Sequence, residues 1–286
     1  MNQQWKRQLP AENIQNIIPV AGGDVNDAYR VDTADQSYFL LVQPNHTADF
    51  YAAEVAGLKE FQNAGVTAPV VQGNGEIDGN AYLLLDYLEA GARGSQRKLG
   101  RLVAKLHQKH HPDNRFGYDL PFEGGDISFD NTWTGSWKEL FVNRRLDQLN
   151  DSIIEKGLWN KAQAATYQQV RKIIVETLEE RESVSSLLHG DLWAGNYMFL
   201  TDGNPVLFDP APLYGDREFD LGATLVFGGF TEDFYHAYQE DYPLDDDAWS
   251  RIQFYKLYLL MVHLVKFGRV YEQSVDRTMQ EIVSNG

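Results

Sequence analysis

Apolar and polar positions alternate along the first third of the chain and recur every three to four residues along the rest, which predicts strands first and helices afterwards. "AYRV" and "YFLLV" read as two strands joined around "DTADQS", and "AYLLLDYL" as a later one, with Gly-rich turns at "GNGEIDGN". One helix interrupts them. "TADFYAAEVAGLKEFQNAG" has a start signal at Thr47, apolar residues at Val55, Leu58 and Phe61, and a stop at Gly65. After residue 90 the pattern changes. "GARGS" reads as a flexible connection, and Leu99, Leu102, Val103 and Leu106 then follow helical spacing. Further helices are predicted at about 136 to 156, 162 to 182, 231 to 241 and 246 to 268, with a hairpin, "YMFL-TDGN-PVLF", among them. These elements predict an α+β chain: a small β-rich lobe, residues 1–88, joined to a larger helical lobe, residues 89–286.

A chain of 286 residues that is 43% hydrophobic and 13% aromatic can bury a substantial core. Its 41 acidic residues against 25 basic ones, a formal charge of -16, would repel nucleic acid and anionic membrane. An anionic ligand would therefore need a local cation or a divalent metal. There is no cysteine, which excludes disulfides and thiolate metal sites and favours a cytoplasmic setting. The opening "MNQQWKRQLP" has no apolar signal core. The apolar run "LYLLMVHLVKFG" is short and carries His263 and Lys266, so it is expected to be a buried helix and not a membrane span. No obligate protein partner is implied.

The stretch "HGDLWAGN" brings the chemistry. Asn196 follows Asp191 by five positions, just before the hairpin's first strand, and Asp209 comes directly after its second. An Asp, an Asn and a second Asp so spaced reproduce the kinase arrangement of catalytic base and two metal ligands. Phosphoryl transfer needs hard oxygen donors to hold magnesium against phosphate, and a carboxylate to orient the acceptor hydroxyl and take its proton. His189 is expected to brace the loop. Trp193 offers either core packing or a platform for a substrate ring, and Asp220 of "REFDLG" is expected to accept backbone N–H bonds from the loop.

With those residues in place, "LLHGDLWAGN", "FDPAPLYGDREFDLG" and "FGGF" resemble the fructosamine (ketosamine) kinase family, relatives of aminoglycoside and choline phosphotransferases with a bilobal protein-kinase-like fold. "GGDVNDAYRVDT", "EVAGL" and "NTWTGSWKELFVNRRL" match in the same order, so the likeness covers nearly the whole chain. It implies an ATP- and Mg2+-dependent enzyme that phosphorylates the third hydroxyl of a sugar joined to an amine or lysine as a ketoamine, a step toward deglycation. Carried over, Asp191 is the base, and Asn196 and Asp209 are magnesium ligands. Gly22 and Gly23 lie over the ATP phosphates, and Asp86, Tyr87 and Leu88 connect the lobes beside adenine. Glu54 partners a phosphate-binding lysine, and His263, at a place resembling a family "NH" pair, joins Trp193 in the sugar pocket.

One residue departs from the family pattern. The lysine expected in "YFLLVQ" is Leu41, and no lysine occurs from residue 8 to residue 58. Arg30 is the candidate replacement, because it shares a strand face with Ala28 and its guanidinium could reach phosphate or pair with Glu54. A solvated strand arginine is the plain alternative. Two other functions stay open: a kinase of another hydroxylated amine, such as an aminoglycoside or choline-like compound, and a nucleotide-binding pseudokinase.

Overall fold

The computed structural model describes residues 5–20 and 26–285 and divides into two compact units. The first comprises residues 1–95 with 197–210, and the second residues 96–196 with 211–286.

The first unit opens with a short helix α1 (Trp5–Gln8) and is built on five antiparallel strands: β1 (Asn16–Pro19), β2 (Asp27–Asp32), β3 (Ser37–Gln43), β4 (Val71–Ile77) and β5 (Asn80–Asp86), in the order β1-β2-β3-β5-β4. Thr47 does begin the helical segment, though through its carbonyl, which accepts the Phe50 N–H at 3.0 Å, and not through a side-chain cap. A 3-10 turn over Ala48–Tyr51 then leads into α2 (Ala52–Asn63), which buries Val55, Leu58 and Phe61 as their spacing predicts. Gly65, at φ 67°, ends it.

"GNGEIDGN" is not a run of turns. Most of it is strand β4, and only Asp78 and Gly79, both at positive φ, make the reversal into β5. Gly73 serves close approach instead, since a Cβ there would come within 2.6 Å of the Pro10 ring. The predicted hairpin also forms, as strands β9 (Tyr197–Phe199) and β10 (Pro205–Leu207), although both are shorter than predicted. It belongs to the first unit and not to the second: Leu207 donates its N–H to the Thr67 carbonyl at 3.0 Å, and Gly91 donates to Phe199 at 2.7 Å. The first unit therefore extends to Ser95, past the predicted boundary at residue 88, and takes back residues 197–210. Sequence order could not reveal that return, because it depends on two long-range backbone bonds.

The second unit is mainly helical. It contains α3 (Gln96–His107), a small hairpin of β6 (Phe122–Gly124) and β7 (Ile127–Phe129), and a π-helical stretch (Glu139–Leu146) that runs into α4 (Asp147–Glu155). α5 (Lys161–Glu180) follows, capped by Asn160 and Gln163 in a reciprocal box. Strands β8 (Ser185–Leu188) and β11 (Leu213–Asp216) pair with each other, and helices α6 (Glu218–Thr224), α7 (Glu232–Asp241), α8 (Ala248–Phe267) and α9 (Glu272–Asn285) complete the unit. α8 is the apolar run of the sequence, and it is buried on most sides against Trp137, Phe141 and Phe219. Among the described residues no helix is long and apolar enough to cross a membrane.

Candidate active site

The loop carrying Asp191 leaves β8 at His189, which is fully buried. Strand β11 runs beside β8, and just before it Ala211 donates to the His189 carbonyl at 2.9 Å. Gly190 sits at φ 81°, and a Cβ there would lie 1.7 Å from the Ala211 carbonyl oxygen, so this position in "HGD" admits only glycine. His189 Nδ1 faces the Asp191 N–H at 3.4 Å, a long bond in the bracing role expected of it.

The stronger brace is Asp220 on α6. Its buried carboxylate accepts the N–H of His189 at 2.7 Å and of Gly190 at 3.0 Å, and Nε2 of His107 lies 3.0 Å away. His107 is bound on its other side to the Tyr238 hydroxyl at 2.9 Å. With Nε2 donating to a carboxylate, Nδ1 is the acceptor from tyrosine. His107 gave no signal in the sequence beyond being a histidine on a helix.

Asn196 holds Asp191 directly. Its side-chain nitrogen lies 2.8 Å from the Asp191 carbonyl oxygen and 3.0 Å from the Asp191 carboxylate. Both amide hydrogens are thereby directed at Asp191, which leaves Oδ1 as the atom able to ligate a cation. Below the loop, Tyr258 on α8 has its hydroxyl pushed up to about 12, by burial first, with Arg145 pulling the other way and Asp191 adding to the rise. Arg145 is itself buried, bonded to Asn131 and set over the Phe129 ring. The sequence reading missed this Arg145–Tyr258 pair.

Trp193 and His263 come together around a third residue. The Trp193 ring, 39% exposed, meets Phe227 edge-on at 6.2 Å, and Phe227 meets His263 at 4.7 Å. Phe227 belongs to "FGGF", a stretch whose role no spacing rule would have suggested.

In the first unit, Asp209 is exposed and holds φ 54°, a left-handed backbone uncommon outside glycine and often found where function requires it. Glu54 of α2 has its carboxyl pushed up to about 8, by burial first and then by the negative charge of Asp209. Tyr51 is raised well above the ordinary tyrosine value by burial, with Glu54, Asp209 and Asp27 adding to it. This cluster of acids has no lysine where the resemblance implies one. Leu41 takes that place, between Ala28 on β2 and Leu83 on β5, in an apolar group with Tyr51, Val55 and Leu58.

Arg30 does not stand in beside Glu54. It shares the face of Ala28 as expected, but its guanidinium bonds Asp32 at 2.7 Å and Ser37 at 3.1 Å and lies over the Tyr87 ring at 4.7 Å. The reason is register: Arg30 is opposite Phe39, two residues along β3 from Leu41, toward the end where Tyr87 follows β5. Asp86 accepts the Val70 N–H with its side chain, and the Tyr87 N–H donates to the Ser37 carbonyl at 3.3 Å. Leu88 follows as non-strand chain, partly buried. Gly22 and Gly23 lie outside the described residues.

Among the described residues no group of three or more His, Cys, Asp or Glu could hold a metal by itself. Magnesium needs no such cage, since it takes one or two protein oxygens and completes its shell with phosphate and water. Asn196 Oδ1 and the Asp209 carboxylate are oxygens of that kind.

The model of the fructosamine kinase family matches residues 1–285. The chain belongs to the fructosamine kinase family. A probable ketoamine kinase of Staphylococcus aureus is 57% identical over 285 residues, covering 100% of this chain and 99% of the relative. Among solved structures, one from Haemophilus somnus, named for fructosamine-3-kinase, has a TM-score of 0.82 at 26% identity and covers 94% of this chain and 91% of its own. The aminoglycoside phosphotransferase APH(4)-Ia, as a thermostable mutant in ternary complex with AMP-PNP and hygromycin B, has a TM-score of 0.66 at 14% identity, covering 94% of this chain and 95% of its own. That last likeness concerns the fold alone. The fold is the mixed α+β, protein-kinase-like one that the resemblance implied.

Proposed function

We propose that this chain transfers the terminal phosphoryl group of ATP to a sugar hydroxyl of a ketosamine, with Asp191 as the general base. The observation that carries the assignment is the pair of hydrogen bonds that the Asn196 amide donates to Asp191, which orients one carboxylate and leaves one amide oxygen for a metal. Asp191 takes the acceptor hydroxyl's proton as the oxygen attacks phosphorus. Asn196 keeps the carboxylate aimed, and Asp220 keeps the loop backbone from relaxing. Asn196 Oδ1 and the Asp209 carboxylate would hold magnesium, which when bound would neutralise charge on the phosphate oxygens.

Trp193 receives the sugar, and His263, reached through Phe227, lines the same acceptor pocket. Gly22 and Gly23 cover the phosphates, and Asp86, Tyr87 and Leu88 border the adenine. Arg30 keeps that connection ordered through Tyr87 and is not a phosphate ligand. Glycated lysine and small glycated amines are the acceptors.

Leu41 favours a second reading, a nucleotide-binding chain without transfer, since its apolar surroundings supply no fixed positive charge. One experiment separates the two. Purified protein with ATP and magnesium is offered glycated amines, aminoglycosides and choline in parallel. Product on the ketosamines alone is expected, and ATP binding with no product on any acceptor would establish the second reading.

A further inference from the structure

Trp193 and Phe227 continue into a shelf of rings on the second unit. Beyond His263, Phe267 lies 5.4 Å away and Tyr271 5.1 Å away, and these two are 6.1 Å from each other. Phe227 is 42% exposed and Phe267 61% exposed, so the shelf presents ring faces to solvent where a packed core would bury them.

At its centre is a neutral acceptor. His263 Nδ1 lies 2.9 Å from the Leu259 carbonyl, and since that oxygen only accepts, Nδ1 carries the proton. Burial first, and then the charge of Lys266, keep the imidazole below its ordinary pKa against the pull of that backbone bond, so Nε2 keeps a lone pair at neutral pH. Lys266 extends toward the end of β6, its Nζ 3.4 Å from where a Gly124 Cβ would stand. Ring faces around an uncharged nitrogen acceptor suit a cation that carries N–H groups.

We propose that Phe227, His263, Phe267 and Tyr271 form the subsite for the protonated amine of the acceptor, with His263 Nε2 accepting an N–H from the ammonium and the rings facing its charge. The assignment rests on the proposed transfer to a ketosamine, whose amine nitrogen is one bond from the sugar carbon chain and is protonated at neutral pH. The shelf begins at Trp193, two residues after the base, so a sugar against Trp193 directs its amine toward Phe227 and beyond. The class selected is ketosamines of alkylamines, a lysine side chain included, over acceptors whose nitrogen is acylated and uncharged.

The test compares kcat/KM for the ketosamine of an alkylamine with that for its N-acetyl derivative, in the wild type and in Phe267→Leu/Tyr271→Leu. Leucine keeps apolar surface and removes the π face. The wild type is expected to prefer the charged acceptor by tenfold or more, and the variant to lose most of that preference with the KM for ATP unchanged. A preference that stays within twofold of wild type in the variant, or a wild type that treats both acceptors alike, overturns the subsite and leaves the kinase reading intact. A wild type that phosphorylates no ketosamine overturns both. Should the double variant fail to fold, Phe267→Leu alone, at the more exposed ring, gives the same comparison.

Discussion

The side-chain amide of Asn196 holds Asp191 at two points, 2.8 Å from its carbonyl oxygen and 3.0 Å from its carboxylate. The residue proposed as a metal ligand thus also holds the residue proposed as the base. Removing Asn196 should then cost more than a ligand. Asn196→Ala is expected to lower kcat at saturating magnesium by about a hundredfold or more, since raising the metal concentration cannot restore the aim of Asp191. Asp191→Asn should lower kcat by roughly 10²–10⁴-fold, the usual weight of a general base, while ATP binds as before. Steady-state kinetics with calorimetric ATP titration checks both, and full recovery of Asn196→Ala in high magnesium would assign Asn196 to the metal alone.

Asp220 accepts two backbone N–H groups and faces His107; Asp220, His107 and His189 are fully buried, and Gly190 is partly so. Asp220→Ala leaves those donors buried and unpaired. A loss of about 3–5 kcal/mol in urea unfolding is expected, together with a large fall in kcat. Asp220→Asn keeps one acceptor oxygen but turns an NH₂ toward donors, so it should fall between the two. A stable Asp220→Ala that turns over normally would remove Asp220 from the support of the loop.

A pH dependence follows from Glu218. Burial first, and then the charge of Asp216, push its carboxyl up to about 7, while Arg251 and Arg181 pull it down. It accepts from Arg251 at 2.7 Å and 3.0 Å, and Arg181 lies 3.0 Å away. A folded carboxyl above its ordinary value near 4.5 holds its proton more tightly than the unfolded chain does. Its stabilising contribution is therefore complete below that value and is lost as pH rises toward 7. The urea midpoint should fall between pH 5 and pH 7.5, and Glu218→Gln, which is neutral at every pH, should flatten that slope.

Much of this was legible in the sequence, for physical reasons that vary by element. Helices α2, α5 and α8 announced themselves because apolar spacing and end signals are local. The hairpin that separates Asn196 from Asp209 was legible because its turn residues lie between two short apolar runs. β8 was missed because Ser185 and Ser186 are fully buried yet polar, with Ser185 bonded to Asn114 and the Arg115 carbonyl, so no alternation marks the strand. β4 was hidden by glycines required for close approach. His107, Arg145 and Phe227 act through partners more than 30 positions away in the chain or on other elements, a relation that no local pattern carries.

Leu41 allows the last test, because the structure separates it from Arg30. Arg30 is held by Asp32, Ser37 and the Tyr87 ring, so Arg30→Met should change kcat/KM for ATP by less than threefold. Leu41→Lys places an ammonium among Ala28, Tyr51, Val55 and Leu83, in the same unit as the acids Glu54 and Asp209. Burying that charge is expected to cost several kcal/mol in the free protein, less whatever Glu54 returns by ionising as its partner. With ATP bound, the same ammonium adds a fixed positive charge to phosphates held in a strongly acidic chain. Leu41→Lys should therefore lower the melting temperature of the free protein and raise kcat/KM for ATP by about threefold or more. Thermal unfolding and steady-state kinetics on the two variants decide it. A tenfold loss in Arg30→Met would return Arg30 to the phosphates, and no gain in Leu41→Lys would mean that magnesium and backbone N–H groups already supply the charge that transfer requires.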